Sequence, residues 1–347
     1  MKVGFVGLGK LGLPVALAAE AAGHEIAGWD VSATVKQIRS SRTLPYVEAE
    51  AQQLLENTKM LWAPPEELVA WADLIFVAVQ TPHQPEYEGT TRLPETRADF
   101  DYRYLKEAVR SVSDAQRVVI ISTVLPGTIE REIFPIIGPD RLLYNPSFIA
   151  MGTTIPDFRD PEFVLVGTDQ AHPAPLRDFY AQVHNAPVFV TTIKTAELTK
   201  VAYNTYIGLK IAFANTMMEL CEKTGADVDD LVDALSMADR RLMGPAYLRG
   251  GMGDGGGCHP RDNIALSWLA RNVNLSYDLF GVLMECREKQ TEWIADEITA
   301  YEGDPIELLG KAYKPETALT VGSPATLLSN LLQERGIPHL HSDPHQE

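Results

Sequence analysis

The chain has 347 residues, 45% hydrophobic and 22% charged, the proportions of a soluble globular protein long enough for two or three domains. Its net charge of −17 at pH 7 argues against nucleic acid or an anionic membrane surface as partner, but leaves room for a phosphorylated ligand held by backbone amides. Three cysteines, Cys221, Cys258 and Cys286, are too few and too scattered for a disulfide framework or a metal site, so a reducing, cytoplasmic setting is expected.

The chain opens with an apolar strand at residues 3–6, followed by Gly7-Leu8-Gly9-Lys10-Leu11-Gly12 and an alanine-rich helix over 14–22 that stops at Gly23. Glycines at this spacing permit a tight turn, close approach of a pyrophosphate and close helix–strand packing, with the phosphates at the helix N-terminus. A second strand, 25–29, ends at Asp30, where a carboxylate can accept hydrogen bonds from an adenosine ribose. No arginine follows at once to receive a 2′-phosphate, which favours NAD over NADP.

Apolar runs at 74–79 and 118–122 read as strands buried on both faces, and further strands are expected at 141–144 and 163–167. The first two lead into hydroxyl residues, Thr81 and Thr123, at the carboxyl ends where open α/β sheets hold ligands. Residues 83–100, rich in proline and charge, read as a surface loop.

From residue 196 the period changes. One long helix is expected over 197–223, with Lys200 and Asn204 four apart on one face, and more helices over 228–238, 264–271 and 277–300. Cys221 and Cys286 fall in these patterns and are expected to be buried. Between the helices lies a glycine-rich loop, 250–262, that carries Cys258 beside His259 and Arg261, with Asp262 four residues on. Cationic neighbours suit a nucleophilic thiolate. A strand at 306–309, a helix at 324–334 and a strand from 338 then form one βαβ unit. The fold class is α/β: a Rossmann-type parallel sheet over 1–193, a helical middle domain over 194–304 and a truncated C-terminal domain over 305–347.

These pieces in this order resemble the UDP-glucose and GDP-mannose 6-dehydrogenase family. Gly7 to Gly12, Thr81-Pro82, the segment 122–128, Asn145-Pro146, Glu197 with Lys200 and Asn204, the loop 255–262 and Lys314-Pro315 match its landmarks. The resemblance implies NAD-dependent oxidation of a nucleotide-sugar C6 alcohol, UDP-glucose first among substrates, to a carboxylate in two steps, by a homodimer.

It implies that Cys258 captures the aldehyde as a thiohemiacetal that becomes a thioester. Lys200 and Asn204 then stabilise the oxyanion, and Asp262 and Thr123 handle water and the C6 hydroxyl. Gly7, Leu8, Gly9, Lys10, Leu11, Gly12, Asp30, Thr81, Thr123 and Arg261 would meet the cofactor. Phe148, Ile149, Ala150, Tyr247, Gly251, Gly255 and Lys314, with Lys200 and Asn204, would meet the substrate. Two family glutamates are Ser147 and Met151 here, a family arginine is Val321 and a family lysine is Arg261. Those departures keep two other readings open: a dehydrogenase of a different or smaller alcohol that stops at the aldehyde, and a weakly active NAD-binding scaffold.

Overall fold

The computed structural model describes residues 1–82, 84–87, 92, 94–244, 250–251, 258–303, 305–312 and 320–343. Internal contacts divide the chain into two units, Met1–Tyr206 and Ile207–Glu347.

The first unit is built on an eight-stranded sheet: β1 (Lys2–Val6), β2 (Glu25–Trp29), β3 (Leu61–Trp62), β4 (Leu74–Val77), β5 (Val118–Ile120), β6 (Leu142–Tyr144), β7 (Val164–Gly167) and β8 (Val188–Thr191). The strand order is β3-β2-β1-β4-β5-β6-β7-β8. Neighbours run parallel except β6 and β7, which meet antiparallel through the single pair Tyr144 and Gly167. Successive strand residues alternate between the two faces, as the pleat requires. Val3, Phe5, Leu74, Phe76 and Val119 enter one core, while Val6, Ile75, Val77, Val118 and Ile120 enter the other. Burial on both faces is what makes these strands continuous apolar runs.

The expected strands at 74–79 and 118–122 end earlier, at Val77 and Ile120, and the residues released join the loops at the sheet's carboxyl edge. The loop read over 83–100 contains a short 3₁₀ turn, Pro85–Tyr87. A helix of 32 residues, Ile193–Thr224, begins directly after β8. Its first turns approach the sheet closely because β7 ends in glycine: a Cβ on Gly167 would lie 2.8 Å from the Ala196 Cβ and 3.0 Å from the Ile193 Cα. That approach sets Glu197 and Lys200 against the sheet's carboxyl edge.

In the second unit, the remainder of the long helix is followed by helices Val228–Ser236, His259–Asn272 and Leu279–Thr299. Met217, Leu220, Ala270 and Phe280 form a small core there. Strands Ile306–Leu309 and His339–Ser342 pair in parallel around the helix Pro324–Glu334, the expected βαβ unit, whose core is Ala295, Leu328 and Leu332. Cys221 is buried as expected, but Cys286 is exposed. On its helix it lies nine residues from the buried Ala295, about half a turn around, and so on the side opposite that core residue. No helix among the described residues is long and apolar enough to cross a membrane.

Candidate active site

The loops that leave β1, β4, β5 and β6 all emerge at the carboxyl edge of neighbouring parallel strands. The first holds the glycine motif. Gly7 has φ +95°, and a Cβ there would lie 2.6 Å from the Ala78 carbonyl oxygen; one on Gly12 would lie 2.1 Å from that of Gly7. Those glycines are required by the protein's own backbone. Gly9 differs: a Cβ there meets nothing within 4 Å, so the space before the helix Gly12–Ala21 is open.

Asp30 is held rigidly. Its Oδ2 accepts the Leu8 N–H at 2.7 Å and its Oδ1 accepts the Ser32 N–H at 2.7 Å. A carboxylate has further lone pairs, so both oxygens can still receive ribose hydroxyls. Leu8 itself is fully buried and contributes a backbone bond to Asp30, while Leu11 packs half-buried on the core. Lys10 is exposed, its ammonium 5.9 Å from the centre of the Tyr46 ring.

Thr81 Oγ1 donates to the Thr123 carbonyl at 2.7 Å and Ser122 Oγ to that of Val79 at 2.6 Å, so hydroxyls tie the ends of β4 and β5 together. After β6, Asn145 is buried. It donates to the Leu165 carbonyl at 2.8 Å and accepts from the Tyr180 hydroxyl at 2.6 Å. Beyond it, residues 145–150 line a pocket of roughly 300 Å³, together with Asp157, Asp160 and Glu162. Phe148 sits between Phe163 and Tyr203, with ring centres 4.8 and 4.7 Å away. Lys200 is buried. Its Nζ donates to the Ser147 carbonyl at 2.6 Å and lies 5.1 Å from the Phe148 ring. Burial pulls its pKa below the ordinary amine value. Asn204, one turn on, is exposed.

Sequence reasoning took Glu197 as a landmark and assigned it no part in the site. It is fully buried, and its carboxylate accepts the N–H groups of Gly127 at 2.5 Å and Ile129 at 2.8 Å. It thereby holds the loop that carries Thr123. Burial raises its pKa, and the two backbone donors oppose that rise. A lone acid three residues before a lysine on an apolar helix was the available signal.

In the second unit, Cys258 is exposed and stands immediately before the helix His259–Asn272. The helix begins five residues earlier than the expected 264, because Pro260 suits a first turn. Arg261 and Asp262 are therefore first-turn helical residues and no part of a loop. The Asp262 N–H donates to the Cys258 carbonyl at 2.8 Å, and the Asp262 carboxylate meets Arg261 Nε at 3.2 Å. The Gly251 carbonyl accepts from Gln290 Nε2 at 3.3 Å. Tyr247, Gly255 and Lys314 lie outside the described residues. Among the described residues, no group of histidine, cysteine and acidic side chains could hold a metal ion.

Residues 1–184 match the NAD binding domain of the UDP-glucose/GDP-mannose dehydrogenase family, and residues 194–288 match its central domain. The chain belongs to that family. It is 28% identical to GDP-mannose 6-dehydrogenase of Pseudomonas aeruginosa over 97% of this chain and 79% of that one. It is 25% identical to UDP-glucose 6-dehydrogenase of Bacillus subtilis over 96% and 74%. A crystal structure of a ternary complex of the Pseudomonas aeruginosa GDP-mannose dehydrogenase superposes with TM-score 0.88 at 26% identity, covering 99% of this chain and 80% of that one. UDP-glucose dehydrogenase of Pyrobaculum islandicum superposes at 0.60 with 28% identity, covering 99% and 82%.

The chain is thus an oxidoreductase of an NAD-dependent family of nucleotide-sugar dehydrogenases. Its residues fit that cofactor: a pyrophosphate would be held at the open space beside Gly9, and the fixed Asp30 carboxylate would offer acceptors to a ribose diol.

Proposed function

We propose that this protein oxidises the C6 alcohol of a nucleoside-diphosphate hexose to the carboxylate, with Cys258 as nucleophile. The observation that carries the reading is the buried Lys200 ammonium, held on the Ser147 carbonyl beside the Phe148 ring at the sheet's carboxyl edge. A buried cation without a carboxylate partner among its hydrogen bonds is costly unless it serves developing negative charge. An alkoxide or thiohemiacetal oxygen supplies such charge.

In this reading Gly9, Asp30 and the first turn after Gly12 hold NAD, which supplies the hydride acceptor for both oxidations. Cys258 Sγ adds to the C6 aldehyde to give a thiohemiacetal, whose oxidised form is a thioester. Water then cleaves the C–S bond, giving the carboxylate and returning the thiol. Lys200 and Asn204 steady the oxyanion, Thr123 orients the C6 oxygen and Asp262 orients the water. Phe148, Ile149 and Ala150, with Tyr247, Gly251, Gly255 and Lys314, meet the sugar nucleotide, while Lys10, Thr81 and Arg261 assist the cofactor. The domain limits near 193 and 304 and a cytoplasmic location belong to the same proposal.

UDP-glucose and GDP-mannose are the substrates to compare, since relatives of both kinds match and the higher TM-score is with the GDP-mannose enzyme. A homodimer is supported by Ile207 and Ile211, one turn apart on the long helix and both more than 40% exposed.

The deciding experiment counts NADH per sugar for each substrate and identifies the product by mass. Two NADH and a uronic acid support the reading. One NADH and a free aldehyde replace it with a single oxidation. That second outcome is favoured by Ser147 and the 61% exposed Met151, which place no carboxylate on this segment.

A further inference from the structure

Residues 42–50 run from the carbonyls of 55–58 past the glycine motif to the segment that follows β6. Arg42 anchors the start. It adopts the left-handed conformation at φ 54°, and its Nη1 donates to the carbonyls of Leu55, Glu56 and Thr58 at 3.0, 3.1 and 2.9 Å. Tyr46, four residues on, places its ring beneath the Lys10 ammonium of the glycine motif. Glu48 is buried and turns the other way. Its Oε2 accepts the Gly152 N–H at 2.9 Å and its Oε1 accepts the Thr154 N–H at 2.7 Å, while the Ala49 N–H donates to the Gly152 carbonyl at 3.1 Å. Glu50 closes the span by pairing with Arg159.

The residues that Glu48 grips end the segment whose beginning Lys200 grips at Ser147. Between the two grips lie Phe148, Ile149 and Ala150, with the Ala150 N–H taken by Asp157 Oδ2 at 2.9 Å. A carboxylate that accepts two backbone N–H groups more than a hundred residues away is a long-range constraint on a loop, and its loss leaves donors unpaired inside the protein. The glycine motif meets the middle of this span at Tyr46, and the segment that follows β6 meets its end at Glu48 and Glu50.

We propose that Glu48 is a positioning residue for the sugar, and that residues 42–50 form a strap holding the segment 147–154 in register with the cofactor's phosphate loop. The proposal rests on the reading of this segment as the hexose contact. Glu48 touches no reacting atom; it acts through Ser147 to Gly152.

The test is Glu48→Gln in the full chain. Its amide oxygen keeps one acceptor, and its NH2 group opposes the second N–H. With whichever of UDP-glucose or GDP-mannose the wild type oxidises, the KM for the sugar nucleotide rises about tenfold, while kcat and the KM for NAD stay within about twofold. Hydrogen exchange at the amides of 147–154 speeds up by about tenfold or more, while that of the β1 and β4 strands is unchanged.

A fall in kcat at unchanged sugar KM, or unaltered exchange at 147–154, overturns the proposal. If the variant does not fold, Glu48→Asp, which keeps the charge on a shorter arm, is read by the same two measures. If the wild type oxidises neither sugar nucleotide, the functional reading falls, and the exchange measurement still decides whether Glu48 orders the segment.

Discussion

Lys200 donates to the Ser147 carbonyl at 2.6 Å, so a buried ammonium on the long helix rests on the backbone of the segment that follows β6. Its remaining protons have no carboxylate among the described hydrogen bonds. The arrangement trades stability for a positive potential at a largely buried place beside the pocket lined by Ser147 and Phe148.

Replacing Lys200 with methionine should therefore separate stability from activity. Turnover is expected to fall by about 10²-fold or more, as when an oxyanion donor is removed, with Tm unchanged or higher. The pH dependence follows from the lowered pKa. The unfolded lysine holds its proton to higher pH than the folded one, so stability rises as pH climbs through the folded value toward about 10.4. Lys200→Met removes that rise. Thermal melts of both proteins across the alkaline range check it, and identical slopes defeat the argument.

The two glycines of the motif should fail in different ways. Gly12→Ala forces a Cβ to 2.1 Å from the Gly7 carbonyl oxygen, which must lower Tm or prevent folding. Gly9→Ala adds a methyl group to open space. Its Tm should match wild type while NAD affinity drops by about tenfold or more, the methyl occupying pyrophosphate space. Titration calorimetry beside melting curves reads both; an unchanged Kd for Gly9→Ala would mean that the cofactor lies elsewhere.

Much of this was legible because it is local. The glycine motif, the strand before it and Asp30 after it obey backbone requirements that neighbouring residues satisfy. The runs at β4 and β5 are apolar because both faces are covered. β3, two residues long with Leu61 exposed, and β8, a half-exposed edge strand, carried no such pattern. Spacing marks Glu197 as an acid one turn before Lys200, but it names the partners of neither Glu48 nor Glu197. The partners of Glu48 lie more than 100 residues away and those of Glu197 about 70, and only tertiary folding brings them together. Cys258 was singled out by chemistry, but its place at a helix start depended on Pro260 opening the helix earlier than hydrophobic period suggested.

Cys258→Ser tests the nucleophile. Serine preserves the shape of the helix start but is a far weaker nucleophile at neutral pH, so acid formation should fall by about 10³-fold or more. NAD-dependent thermal stabilisation should persist. Acid formation at the wild-type rate would remove Cys258 from the mechanism and leave it as an exposed thiol.

Glu197 supplies the most direct test of how the Thr123 loop is held. In Glu197→Gln the amide oxygen accepts one of the N–H groups of Gly127 and Ile129, and the NH2 group confronts the other, leaving a donor unsatisfied in a buried place. Stability should drop by about 1–3 kcal/mol, read from urea unfolding at pH 7. Because burial raises the Glu197 pKa, the sign with pH is opposite to that of an ordinary salt-bridged acid. Relative to the unfolded chain, the folded protein holds the Glu197 proton more tightly, so that share of its stability is fully present below the unfolded value near 4.3 and is lost as pH rises through the folded value, where the ionised carboxylate accepts both N–H groups. Wild type should therefore lose part of its lead over Glu197→Gln as pH climbs through that window. A lead that grows with pH would show that the two backbone donors outweigh burial and that the site holds a carboxylate by preference.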